Sequence, residues 1–173
     1  SIEDNFVIEA VMKFIHISDI HLVSKDGPLN GSVPSERLEK CMDDILKWHA
    51  DADFCVISGD LSEFAEIEAY QSLKNRVLEF PIPSFLMIGN HDDRDLFRTV
   101  FPDNPSDENN FVQYSFETND GIFLFLDTKK QGKNVHDGEL CEKRLAWLKK
   151  QLINAGNKPT YLFMHHPPFE IGI

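Results

Sequence analysis

Four short stretches of this chain gather side chains that bind metal ions and move protons. They are Asp19-Ile20-His21, Gly59-Asp60, Gly89-Asn90-His91-Asp92 and His165-His166. Carboxylate, carboxamide and imidazole donors, with no thiolate among them, suit manganese, iron, zinc or cobalt and disfavour soft-metal sites. In Asp-x-His, an extended backbone would send residues i and i+2 to the same side. Asp19 and His21 are therefore expected to grip one ion. In Gly-Asp, the glycine permits a sharp exit from a strand. Asp60 would then project outward with two oxygens able to bridge two ions. Each stretch alone has a bland reading as a turn, a cap or a structural His pair. Their joint occurrence is what points to a site.

Each stretch closes an apolar run that reads as a strand: Phe14–Ser18, Phe54–Ser58, Phe85–Ile88 and Thr160–Met164. In open α/β sheets, sites lie beyond the carboxyl ends of the strands. Helical periodicity marks Ser35–His49, with Ser35 placed as an N-cap and Leu38, Met42, Ile45, Leu46 and His49 on one face. It also marks Phe64–Glu79, and Glu139–Ala155 with Leu145, Leu148 and Leu152, closed by Gly156. Val112–Phe116 and Ile122–Leu126 read as a hairpin turning at Asn119-Asp120-Gly121. Val23–Pro34 and Pro102–Asn110 read as loops. Strands alternating with helices predict an α/β domain.

The 173 residues suit a single domain, and 42% are hydrophobic, with fourteen phenylalanines. No stretch approaches the roughly 20 apolar residues of a membrane span, so no membrane partner is expected. Residues 1–11 read as an N-terminal extension before Met12, without a secretory signal. Cys41, Cys55 and Cys141 are odd in number and scattered; each reads as a small buried hydrophobe in a reducing cytoplasm. The net charge is −12. Without a basic stripe, a nucleic-acid polymer is not an expected partner. Lys143, Arg144, Lys149 and Lys150 read as a solvated helix face. His16 reads as a packed strand residue, and His49 and His136 as surface or packing residues.

The strings ISDIHL, SGDLSE, IGNHDD and MHHPP resemble the calcineurin-like metallophosphoesterases. GNHDDRDLF, FLFLDT, DGELCEKRLAWLKKQL and HHPP are similar to the class III cyclic-nucleotide phosphodiesterases and bacterial glycerophosphodiesterases. The resemblance runs from Met12 to the C-terminus. It implies a β-sandwich of mixed sheets flanked by helices, over residues 12–173. It also implies a pair of metal ions. Asp19 and His21 would bind the first, Asp60 would bridge both, and Asn90 and His165 would bind the second. His91 would act on the phosphate or leaving group, with Asn90 beside it, oriented by Asp92. His166 is left as second shell or structural. One departure stands out. The family carries a Gly-x-His or Gly-His-x-His motif after the last His-bearing strand, and this sequence reaches Ile173 without it. The domain is expected to be truncated or split, and inactive as it stands.

For the complete enzyme, the resemblance implies attack by a metal-bound hydroxide on a small phosphodiester, a cyclic nucleotide or a glycerophosphodiester. His91 would assist as a general acid. A phosphomonoesterase or protein phosphatase on the same scaffold, and a non-catalytic scaffold, are the alternatives. Homo-oligomerisation of the full-length protein is left open.

Overall fold

A computed structural model describes residues 12–25, 27–132 and 136–169. The expected extension at 1–11 lies outside the described residues. Among them the elements run β1 (Phe14–Ile17), α1 (Pro34–His49), β2 (Phe54–Ile57), α2 (Ile67–Glu79), β3 (Ser84–Leu86), α3 (Arg94–Val100), β4 (Tyr114–Glu117), β5 (Ile122–Leu126), α4 (Glu142–Ala155) and β6 (Thr160–Met164).

Two three-stranded sheets form, β1-β2-β3 and β4-β5-β6. The first is parallel throughout. Its central strand β2 is buried at every position, as a strand covered on both faces must be. The second is mixed: β4 runs antiparallel to β5, and β6 parallel to it. The expected α/β sandwich flanked by helices is therefore present, with one sheet mixed as expected and the other wholly parallel.

Aromatic pairs bolt the sheets together strand over strand. Phe14 of β1 meets Phe163 of β6 at 5.6 Å between ring centroids, edge to face. Phe54 of β2 meets Phe123 of β5 at 5.1 Å. Phe85 of β3 meets Phe116 of β4 at 4.7 Å. All fall in the range favoured by ring quadrupoles, and each fully buried ring contributes about 1.5–3 kcal/mol through burial alone. A second cluster, with Leu38, Met42, Tyr70, Leu73 and Phe97, packs α1, α2 and α3 on the outer face of the first sheet. Ala155, Trp147 and Leu148 pack α4 against Ile122 and Leu124 of the second. The layers run helices, sheet, sheet, helix.

Several boundaries move. Ser35 is not the N-cap of α1. Val33 is, and Pro34 enters the first turn, where its fixed φ suits a helix and its missing N–H costs nothing. The helix expected from Phe64 begins at Ile67. Ala65 takes φ 52° and the Glu66 N–H goes to Ser62 Oγ, so the turn before it is not helical. Helix α3 was absent from the sequence reading; Asp93 caps it by accepting from the Leu96 N–H at 2.8 Å. Arg144 overturns the reading of a solvated basic face: it is 2% exposed. Its guanidinium donates to the carbonyls of Asp127 and Lys129, each at 2.9 Å, and to Glu139. A buried arginine is tolerated where its donors are satisfied in this way. Leu145 and Leu152, expected inside, are 47% and 42% exposed. Of the cysteines only Cys55 is fully buried; Cys41 and Cys141 are half-buried.

Candidate metal centre

β1, β2 and β3 end at one edge of the first sheet. Because β1 lies over β6, the end of β6 from the second sheet comes to the same edge. Asp19, His21, Asp60, Asn90, His91 and His165 are thereby collected from four strand ends.

The local backbone is unusual. Asp19, His21 and Asp60 all have positive φ, at 58°, 51° and 49°. The expected extended Asp-x-His geometry is thus replaced by left-handed turns, a conformation that side chains other than glycine hold only when their surroundings impose it. Here the Asp19 N–H donates to the Gly59 carbonyl and the His21 N–H to the Asp60 carbonyl. The two strand ends fix each other. Gly59 has φ 113°, and a Cβ there would stand 2.6 Å from the Gly89 nitrogen, so the second and third strand ends touch backbone to backbone.

Two sets of donors result. Asp19, Asp60 and His165 form one, and His21, Asp60 and His91 the other, each within 4.8 Å. Asp60 belongs to both. Its Oδ1 stands 3.4 Å from His165 Nε2, and its Oδ2 stands 3.7 Å from His21 Nε2. Asn90 Oδ1 lies 3.1 Å from His165 Nε2.

Hydrogen bonding decides which ring nitrogens are free. His165 Nδ1 meets the Ser58 carbonyl at 3.0 Å and must donate to it. His21 Nδ1 donates to the Glu63 carboxylate at 2.7 Å. In the neutral rings both Nε2 atoms then carry lone pairs. Each faces oxygens that can only accept: Asp60 and Asn90 around one, Asp19 and Asp60 around the other. Such facing acceptors repel unless a cation lies among them. Orientation of the outer nitrogen by a carboxylate or carbonyl is also how metal-ligating histidines are held. The residues present therefore fit metal ions.

In the metal-free protein a proton on His165 can take the place of that cation. Burial would raise the Asp60 carboxyl, yet His165 and the His91 N–H outweigh it and hold it below the usual carboxylate range. Burial would lower the His165 imidazole, but Asp60 raises it above its ordinary value.

His91 lies beside this centre, its ring 4.8 Å from that of His21. Its orientation corrects one expectation. Asp92 makes no bond to the ring; His91 Nδ1 donates to the Glu63 carbonyl at 2.9 Å instead. Asp92 is 2% exposed and accepts from the backbone N–H groups of Leu61, Ser62 and Gly89 and from the Tyr70 hydroxyl. It clamps the second strand end to the third. Burial pushes its carboxyl up, against the pull of those N–H donors.

Glu63 was missed as a residue of interest. The signal was faint: an acid three positions after Asp60. Lys129 was missed too; its ammonium holds the Asn90 carbonyl at 2.8 Å. His136, read as surface or packing, is exposed but stands in the site cleft, with Nδ1 3.3 Å from Asn90 Nδ2. His16 is a strand residue as expected, bonded to Ser58 Oγ at 2.7 Å. His166 is buried, bonded through Nδ1 to Thr128 Oγ1 at 2.7 Å.

Residues 12–172 match the calcineurin-like phosphoesterase family. The chain belongs to that family. Over 163 residues it is 37% identical to a probable cyclic nucleotide phosphodiesterase of Rhodopseudomonas palustris, covering 94% of this chain and 60% of the relative. Over 176 residues it is 32% identical to a glycerophosphodiester phosphodiesterase of Enterobacter lignolyticus, covering 93% of this chain and 59% of the relative. Over 168 residues it is 29% identical to the 3′,5′-cyclic adenosine monophosphate phosphodiesterase of Escherichia coli, covering 95% and 58%. The chain thus spans about 60% of the length of these curated relatives. Among the described residues, no helix is long and apolar enough to cross a membrane.

Proposed function

We propose that this phosphoesterase chain carries most of the active site of an enzyme that hydrolyses small phosphodiesters with two metal ions. The observation that carries the reading is Asp60, shared between two sets of ligands whose free Nε2 atoms face only acceptors. Relatives named as phosphodiesterases support the choice of diesters. The net charge of −12 argues against nucleic-acid polymers. Free thiols suit a reducing cytoplasm.

The family resemblance would give Asp19, His21 and Asp60 to one ion and Asp60, Asn90 and His165 to the other; the donor distances instead group Asp19 with His165 and His21 with His91, with Asp60 in both sets. Manganese, iron, zinc and cobalt all suit these donors. When bound, such a pair polarises phosphoryl oxygens and acidifies water. The chain's own residues do the rest. Asn90 and His91 line a cleft of about 390 Å³, within the roughly 300–1,000 Å³ typical of small-ligand pockets. They would seat the phosphate there. With Nδ1–H tied to Glu63, a protonated His91 can release its Nε2 proton to the departing alkoxide and keep the Nδ1 proton. Asp92 and Lys129 keep Asn90 and His91 in place.

The test compares bis-p-nitrophenyl phosphate with p-nitrophenyl phosphate, using the manganese-loaded full-length protein. Preferred cleavage of the diester is expected. A strong preference for the monoester would make it a phosphomonoesterase, and cleavage of neither would leave a non-catalytic scaffold.

A further inference from the structure

Phe64 occupies a position that the metal chemistry leaves unused. Its side chain is 65% exposed and lines the cleft that contains Asn90, His91 and His136. It packs in none of the three hydrophobic clusters. Single exposed apolar residues are ordinary on a surface, but this one differs in where it stands and how it is held.

Its backbone is anchored on both sides. The Glu63 N–H donates to the Leu22 carbonyl at 2.9 Å, and the Glu63 carbonyl accepts from His91 Nδ1. The Glu66 N–H donates to Ser62 Oγ, and the Glu66 carboxylate accepts from the backbone and hydroxyl of Ser24. Between them Ala65 is forced to φ 52°. The turn that orients His21 and His91 therefore also sets a large aromatic side chain on an anchored backbone at the wall of the cleft. Exposed aromatic faces on an anchored backbone are what flat ligands stack on, and with only two side-chain torsions they lose modest entropy on binding. The cleft also presents hydrogen-bonding groups, with the His136 ring centroid 5.9 Å from that of His91 and the Lys129 ammonium on the same lining. Phosphate-seating residues, an exposed aromatic face and polar groups suit a phosphate esterified to a sugar that carries a flat heteroaromatic base better than one esterified to glycerol.

We propose that Phe64 is the platform on which a nucleobase stacks, so that the site reads nucleotide diesters in preference to glycerol-bearing ones. This rests on the phosphodiester reading above.

The experiment uses the full-length, manganese-loaded protein and its Phe64→Ala and Phe64→Trp variants. Hydrolysis of 3′,5′-cyclic AMP is compared with that of glycerophosphoethanolamine, and AMP and inorganic phosphate are titrated calorimetrically. Phe64→Ala is expected to lower the ratio of kcat/KM values, cyclic AMP over glycerophosphoethanolamine, by about tenfold, the size of one lost base stack. The change should lie in KM, and Phe64→Trp should restore the ratio. An unchanged ratio in Phe64→Ala overturns the platform. If the parent cleaves neither diester, the phosphodiester reading fails, and the titrations decide the platform alone. AMP binding about tenfold weaker in Phe64→Ala, relative to inorganic phosphate, supports it. Equal weakening, no weakening, or no AMP binding by the parent overturns it.

Discussion

A Cβ at Gly89 would stand 2.2 Å from Oδ1 of Asp60, so the absence of a side chain at 89 is what leaves room for the shared carboxylate. The same Cβ would also press on His165 Nε2 at 2.7 Å and on the Asp60 backbone nitrogen at 2.5 Å. None of these atoms can withdraw, because Asp60 is 3% exposed and its Oδ1 is held by the His91 N–H at 2.9 Å. Gly89→Ala is expected to displace Asp60 and to lower bound metal from two ions per chain to one or fewer, measured by elemental analysis of the full-length protein. Two tightly bound ions in the variant would show that the carboxylate is not shared.

Glu63 holds His21 through a 2.7 Å bond to Nδ1. Glu63→Gln keeps the shape but removes the charge that fixes the tautomer. Outer-sphere changes of this kind weaken metal affinity about 10–100-fold. Competition with a coloured chelator should read that loss, while the melting temperature of the metal-free protein moves little.

Asp92 is a clamp between strand ends. Asp92→Asn replaces one acceptor oxygen by a donor facing backbone N–H groups, at a position only 2% exposed. A destabilisation of about 2–4 kcal/mol is expected from urea unfolding of the metal-free protein. Tyr70→Phe removes two bonds, the 3.0 Å donation to Asp92 and the 2.9 Å acceptance from the Asp93 N–H, and should cost about 2 kcal/mol. The pair should be less than additive, since both changes act on one network.

Burial holds the His166 imidazole down to about 4, and its Nε2 has no partner among the described residues. The folded state therefore favours the neutral ring. The stability this confers is complete above the unfolded value near 6.5 and is lost as pH falls from there toward 4. In metal-free protein, His166→Asn should flatten the fall in unfolding free energy between those limits. An equally steep fall in the variant would assign it to other groups.

Much of the fold was legible because its signals are local. Apolar runs bounded by glycine and acidic residues located every strand of both sheets, and their ends carry the Asp19, His21, Asp60 and His165 donors that the fold brings together. What went wrong was also local in cause. A helix was begun at Phe64, where periodicity continues but the backbone is pulled away by Ser62 and Ala65. The helical pattern places Arg144 in solvent, since nothing in its own helix announces the carbonyls of Asp127 and Lys129 that satisfy it. Asp92 was assigned to the neighbouring histidine, although its partners lie in other turns.

By itself the sequence determined that carboxylate and imidazole side chains stand at strand ends, since side-chain chemistry and hydrophobic pattern are properties of short segments. Only the tertiary structure decided that His165 comes from the second sheet, that Asp60 lies between two histidines with their lone pairs turned inward, and that Glu63 rather than Asp92 orients the rings. Those facts depend on phenylalanines stacking one sheet over the other, and on hydrogen bonds between residues as far apart as Ser58 and His165. No segment of the sequence encodes such contacts alone.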